Sequence, residues 1–254
     1  MRILVTNDDG IHAPGLRCLE EIAGQLSDDV WVVAPETDQS GVSHSLSLND
    51  PLRLREVSER RYAVKGTPTD CVIMAVNAIL KNEKPDLLLS GINRGQNVAE
   101  DVTYSGTIAA AMEGTLLGVP SIALSQAYGA VTGRKNPHWD CGEAHAAPTV
   151  RKLLEAGVPR GTLVNVNFPD CASDEVTGLE VTAQGVRDTA LMQVHEREDG
   201  RGNPYYWIGF ARGKFTPVEG SDLQALRDRK ISVTPLRLDL TDGETRGRYA
   251  RAFG

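Results

Sequence analysis

Short apolar runs alternate along this chain with segments of helical periodicity, and that alternation limits the fold more than any other feature. Residues 3–5, 30–34 and 87–89 are continuous apolar runs, and residues 121–124 and 163–166 read as two more. Runs without a polar face suit parallel strands covered on both sides. Between them, residues 15–26 set Leu16, Leu19, Ile22, Ala23 and Leu26 on one helical face. Residues 68–80 begin with Pro68 at the first helical position after Thr67, and the Ala-rich segment 107–117 stops at Gly118. The β-α-β order predicts an α/β fold, a doubly wound, mostly parallel sheet with right-handed crossovers. Residues 45–64 alternate as short strands and predict an inserted β-hairpin near the sheet's edge. Residues 196–220, rich in Gly, Pro and charge around "YYWIGF", predict an extended arm outside that sheet.

In an open parallel sheet, ligands bind beyond the carboxyl ends of the strands, so the loops there carry the chemistry. Three such loops are polar and punctuated by glycine: Asn7-Asp8-Asp9-Gly10, "APETDQSGVSHS" with Gln39-Ser40-Gly41, and "SGINRGQN" with Asn93 and Asn97. Adjacent carboxylates repel, and one protonates unless a cation sits between them. Asp8 and Asp9 serve one centre only if the backbone turns between them, which Gly10 permits. Taken singly, the doublet reads as a solvated turn, Ser40 as a turn serine, and Asn93 as an amide bonded to its own loop. Their shared edge changes the balance. Two carboxylates, a hydroxyl and an amide carbonyl form a hard-oxygen set suited to Mg²⁺ or Mn²⁺ rather than zinc. In "YSGTIAAAMEGT", Ser105-Gly106-Thr107 stands where a helix begins, and such an end offers amides and a positive dipole to an anion such as phosphate. A plain Ser/Thr helix cap is the alternative meaning.

The 254 residues carry a formal net charge of −7, so neither duplex nucleic acid nor an anionic membrane surface is an expected partner. No apolar run approaches the roughly 20 residues of a membrane span. Cys18, Cys71, Cys141 and Cys171 are scattered, and no basic-then-apolar signal segment opens the sequence; together these predict reduced thiols and a cytoplasmic location.

The motifs "NDDGIHAPG", "VVAPETDQSG", "GTPTDCV", "PDLLLSGINRGQN", "YSGTIAAAMEG", "NVNFP" and "ISVTPLRLDLT", in this order from residue 3 to about 241, resemble those of the SurE survival-protein family of nucleotide phosphatases. The resemblance implies a Rossmann-like core spanning residues 1–254, with a protruding oligomerisation arm at about 196–235 that is swapped between subunits. It implies homodimers or homotetramers, and hydrolysis of 5′- or 3′-nucleotides. It further implies one divalent cation per subunit, held by Asp8, Asp9, Ser40 and Asn93, with Asn97, Ser105, Gly106 and Thr107 around the substrate phosphate. On that reading Asp8, Asp9, Asn97 and Ser105 carry catalysis, and a metal-activated water attacks the phosphoryl group in line. The sequence departs from the family pattern at Ser221-Asp222 where Thr-Asp is expected, at Arg229-Lys230 where Gly-Tyr is usual, at Arg94 where a small residue is frequent, and in a long loop over residues 126–143.

Several constellations keep two meanings. His138, Cys141 and His145 in "HWDCGEAH" form a soft-metal cluster only with a fourth ligand, and the segment otherwise reads as a polar loop before a helix. His12 and His44 either contact phosphate or decorate their loops, and Asp222 either reaches a neighbouring site or caps a helix. Thr67 and Pro68 either border a nucleoside or simply start a helix. Two other enzyme classes are disfavoured: an aspartyl-phosphate phosphatase needs Asp-x-Asp after the first strand, and a dehydrogenase needs G-x-G-x-x-G there. A nucleotide-binding regulator without turnover is the alternative to the phosphatase.

Overall fold

The computed structural model describes residues 1–129, 133, 137–187, 192–210 and 216–254. From the amino terminus come β1 (Arg2–Thr6), α1 (Pro14–Gly24), β2 (Asp29–Pro35), β3 (Arg53–Ser58), β4 (Arg61–Lys65), α2 (Pro68–Met74), β5 (Leu87–Arg94), α3 (Gly106–Leu116), β6 (Ser121–Gln126), α4 (Trp139–Ala156) and β7 (Thr162–Phe168). They are followed by β8 (Gly178–Val181), β9 (Met192–Glu198), β10 (Pro204–Phe210), α5 (Asp222–Arg227), β11 (Lys230–Arg237) and α6 (Gly243–Phe253).

Nine strands form one sheet in the order β3-β4-β2-β1-β5-β6-β7-β11-β8. The run from β4 to β7 is parallel, whereas β3 on β4 and β11 on β7 are antiparallel. The apolar runs are buried on both faces because alternate side chains point to opposite sides. Ile3 and Val5 of β1 pack with Leu16 and Leu19 of α1 and Val150 of α4; Leu4 packs on the other side with Val72 of α2 and Ile108 of α3. Full burial of an aliphatic side chain contributes about 1.5–3 kcal/mol, and Leu16, Leu19 and Ile22 on one stripe fix α1 to the sheet. The chain leaves β1 for β2 on one side and returns at β5 on the other. That reversal opens a crevice beyond the carboxyl ends of β1 and β5, where Asp8, Asp9 and Asn93 lie.

The hairpin predicted over 45–64 is shorter: β3 and β4 pair antiparallel at the sheet's edge, and residues 45–52 before them form no strand. The arm expected over 196–235 ends sooner: β9 and β10 form a separate two-stranded sheet, while α5 and β11 belong to the main body, with β11 between β7 and β8. The polar loop expected at "HWDCGEAH" is instead helical from Trp139 onward as the start of α4, with Cys141 buried and His145 Nε2 2.9 Å from the Ser173 carbonyl. Of the long loop noted over 126–143, residues 130–132 and 134–136 lie outside the described residues. Among the described residues no helix is long and apolar enough to cross a membrane.

Candidate active site

The loop after β1 is a turn built by its own side chains. Asn7 Nδ2 donates to the Gly10 carbonyl at 3.1 Å, and the Gly10 amide donates back to Asn7 Oδ1 at 3.2 Å. Gly10 has φ +101°, and a Cβ there would come within 3.2 Å of the Thr37 backbone. Only glycine satisfies both demands. The turn sends the two carboxylates to different neighbours. Asp8 Oδ1 accepts from Thr107 Oγ1 at 2.6 Å, while Asp9 Oδ2 accepts from the Arg94 amide at 3.1 Å and its Oδ1 lies 4.0 Å from the Arg94 guanidinium.

Three loops converge on Asp8. The Asp8 carbonyl accepts from the Gln39 amide at 2.8 Å, which ties the loop carrying Ser40 to the doublet. The first turn of α3 lies against the carboxylate: a Cβ on Gly106 would approach Asp8 Cβ to 2.8 Å and Asp8 Oδ2 to 3.1 Å, with Pro68 Cγ at 3.1 Å. Position 106 therefore has no room for a side chain. Ser40, exposed, donates its hydroxyl to Asp38 Oδ1 at 2.6 Å, and a hydroxyl that donates still has lone pairs for a cation. Asn93 uses Nδ2 on the Gly95 carbonyl at 2.8 Å, which leaves its Oδ1 as the oxygen suited to a cation.

Asp8 is only 4% exposed, and burial pushes its carboxyl up to about 7. The Thr107 hydrogen bond opposes that shift, and the nearby charges of Asp9 and Asp38 add to it. A buried carboxylate that is hard to ionise, with two others nearby, is an anionic site in want of positive charge. Among the described residues no group of three or more His, Cys, Asp and Glu side chains is placed to hold a metal, so the His138, Cys141 and His145 cluster is not assembled. Asp8 and Asp9, with Ser40 and Asn93 on the two loops bonded to them, offer oxygens of a different kind, carboxylate, hydroxyl and amide carbonyl, of the sort that suits a hard divalent cation.

The residues read as phosphate ligands divide into two roles. Thr107 spends its hydroxyl on Asp8, and Ser105 caps α3, its Oγ accepting from the Ile108 amide at 3.1 Å. Asn97 is buried in a polar network: Nδ2 donates to Ser125 Oγ at 2.9 Å, its amide donates to Asn167 Oδ1 at 2.8 Å, and its carbonyl accepts from Asn165 Nδ2 at 2.7 Å and Asn167 Nδ2 at 3.2 Å. Asn165 and Asn167, two apart on one face of β7, thereby fix the backbone of residue 97. They are visible in "NVNFP" as polar residues inside an otherwise buried strand. Asp38, two residues before Ser40, is a third acidic contributor that sequence reasoning passed over.

The remaining candidates resolve individually. His44 Nε2 lies 3.0 Å from Glu113 Oε2, and His12 is exposed. Thr67 and Asp70 form a reciprocal capping box at the start of α2. Asp222 is wholly buried in its own chain, with Oδ2 accepting from the Ala99 amide at 2.9 Å and Oδ1 from the Gly185 and Leu223 amides at 2.9 and 2.7 Å. It is neither a free helix cap nor a group extended toward another subunit.

Comparison with known proteins identifies the family. The family described as "Survival protein SurE" matches residues 3–190. A relative from Methylobacterium radiotolerans named "5'-nucleotidase SurE" is 69% identical, covering 100% of this chain and 99% of its own. One of the same name from Azorhizobium caulinodans is 64% identical with the same coverage. The crystal structure of the SurE protein from Aquifex aeolicus superposes with a TM-score of 0.86 at 40% identity, covering 100% of both chains. With motifs, fold and whole-chain identity in agreement, this chain belongs to the SurE family.

Proposed function

We propose that this chain is a metal-dependent nucleotidase that hydrolyses nucleoside 5′-monophosphates to nucleoside and phosphate. The observation that supports the reading most is the contact of Asp8 with the first turn of α3, since a buried carboxylate in want of a cation there meets a helix end of the kind that binds anions. It is supported by the 64–69% identity to relatives named 5'-nucleotidases.

Asp8, Asp9, Ser40 and Asn93 would hold one Mg²⁺ or Mn²⁺ per subunit. Such a cation supplies Lewis-acid polarisation of a phosphoryl oxygen and lowers the pKa of a bound water into the neutral range. The chain's own groups do the rest. The α3 amides, with Ser105, Gly106 and Thr107 at that end, orient the phosphate oxygens, and Asn97 holds the loop leading to them. Thr107 donates to Asp8 and favours its ionised form, against the burial that raises the carboxyl to about 7. No side-chain nucleophile is required. The four thiols, all buried and free, fit a reducing cytoplasm. The β9–β10 hairpin fits a surface that joins subunits into a dimer or tetramer.

The test is phosphate release from a panel of nucleoside monophosphates, before and after exhaustive chelation and after Mn²⁺ or Mg²⁺ is restored. Release that depends on metal supports the enzyme. Nucleotide binding without release under every metal would establish the regulator in its place.

A further inference from the structure

The segment between Asn97 and Ser105 is held from outside by residues that neither touch the candidate site nor lie near it in sequence. Ala99 is wholly buried and adopts φ +52°, a left-handed conformation unfavourable for a non-glycine residue unless its surroundings impose it. Both its backbone groups are taken: the amide donates to Asp222 Oδ2 at 2.9 Å, and the carbonyl accepts from Gln184 Nε2 at 2.9 Å. The next two residues are tied as well. The Arg187 amide donates to Glu100 Oε1 at 2.7 Å, and its guanidinium reaches Glu100 Oε2 at 3.0 Å and Asp101 Oδ2 at 2.7 Å. Asp222 in turn fixes the 184–187 segment through Gly185, where a Cβ would strike Asp222 Oδ1 at 2.7 Å.

We propose that Asp222 and Arg187 are positioning residues for the phosphate end of the site. They clamp the turn at residues 98–103 and so set the distance between Asn97 and the α3 end at Ser105. This rests on the functional reading above, since it assigns the clamp to the same reaction. Without the carboxylate, Ala99 relaxes toward right-handed backbone, and the residues on either side of it lose their spacing. Metal binding, assigned to Asp8, Asp9, Ser40 and Asn93, is not part of the clamp.

Asp222→Asn is the direct probe. Its amide oxygen can still accept from Gly185 and Leu223, but its NH₂ would face the Ala99 N–H, donor against donor. The expected result is a tenfold or greater loss in kcat/KM for nucleoside monophosphate, unchanged Mn²⁺ affinity, and faster hydrogen exchange confined to residues 98–107. Adding Ala99→Gly should restore part of the activity, because glycine enters the left-handed region without the steric cost. A merely structural Asp222 predicts instead a lower Tm with exchange raised across the whole fold, and a kcat/KM per folded molecule that stays at the wild-type value. If Asp222→Asn fails to fold, Arg187→Gln carries the same expectations with Asp222 intact. Wild-type kcat/KM and wild-type exchange at 98–107 in a folded variant would overturn the proposal. Absence of turnover in the wild type would instead overturn the nucleotidase reading.

Discussion

Thr107 Oγ1 donates to Asp8 Oδ1 across 2.6 Å, and this bond joins the loop after β1 to the first turn of α3. It couples two halves of the site that the sequence keeps 99 residues apart. The hydroxyl is committed to a carboxylate, so in the proposed site residue 107 would act on the cation side through its side chain and on the phosphate side through its place at the helix end.

Charge removal at the doublet is the first expectation. Asp8→Asn and Asp9→Asn should each lower kcat/KM by orders of magnitude while circular dichroism and Tm in the absence of metal remain close to wild type. Asp8→Asn should even gain metal-free stability at pH 8, because a neutral amide avoids the desolvation of a buried carboxylate. Near-wild-type turnover in both variants would reduce the doublet to a turn.

The second expectation is a pH dependence with a definite sign. Burial raises the Asp8 carboxyl from 3.8 to about 7 in the folded chain. A raised carboxyl disfavours folding wherever the unfolded chain has already ionised, so metal-free stability should fall as pH rises from about 4 to 7 and level off above. A bound cation removes that penalty by stabilising the ionised form. Stabilisation by Mn²⁺ should therefore be larger at pH 8 than at pH 5.5, and calorimetric titration at pH 6 in two buffers should show proton release on binding. Equal Mn²⁺-induced shifts in Tm at both values would contradict this account.

These expectations draw unequally on sequence and on structure. The order β1-α1-β2 and the turn at Asn7 to Gly10 were readable because burial on both faces and a tight turn leave local marks: unbroken apolar runs and a glycine. The direction of the Thr107 hydroxyl was not, since it depends on how α3 docks against β1. The Asn165 and Asn167 support of Asn97 left a trace, polar residues in a buried strand, but the partner lies 68 and 70 residues away. The arm expected over 196–235 takes in α5 and most of β11 because the start of β11 mixes charge with apolar residues, and only its pairing with β7 and β8 shows that it belongs to the main sheet.

The β9–β10 hairpin gives a third expectation. Tyr206, Trp207, Ile208 and Val194 are 58%, 62%, 73% and 66% exposed, and they occupy both faces of a two-stranded sheet. An isolated hairpin of this kind is marginal in water, and its open edges invite pairing. Sedimentation at micromolar concentration should find at least a dimer, and Trp207→Glu with Ile208→Glu should shift it toward monomer. A monodisperse wild-type monomer would refute the assignment of this surface.

The last expectation separates Ser105 from Thr107, neighbours but one in sequence with different duties. Thr107→Val keeps the shape of the side chain and deletes the donor to Asp8 Oδ1. A lost hydrogen bond to a charged group costs on the order of 1.5–3 kcal/mol, which is roughly ten- to a hundredfold in an equilibrium. The loss falls on the ionised form of Asp8, so it should appear as weaker Mn²⁺ binding, as a higher pH needed for activity, and as a defect that excess Mn²⁺ relieves. Ser105→Ala deletes the cap on the Ile108 amide and a hydroxyl at the phosphate end, leaving the cation oxygens in place. Its defect should lie in kcat/KM for substrate, with Mn²⁺ affinity unchanged and no relief from added metal. Titrating Mn²⁺ against both variants decides the matter. If Ser105→Ala is the one that metal restores, or if the two respond alike, the division between cation side and phosphate side is wrong.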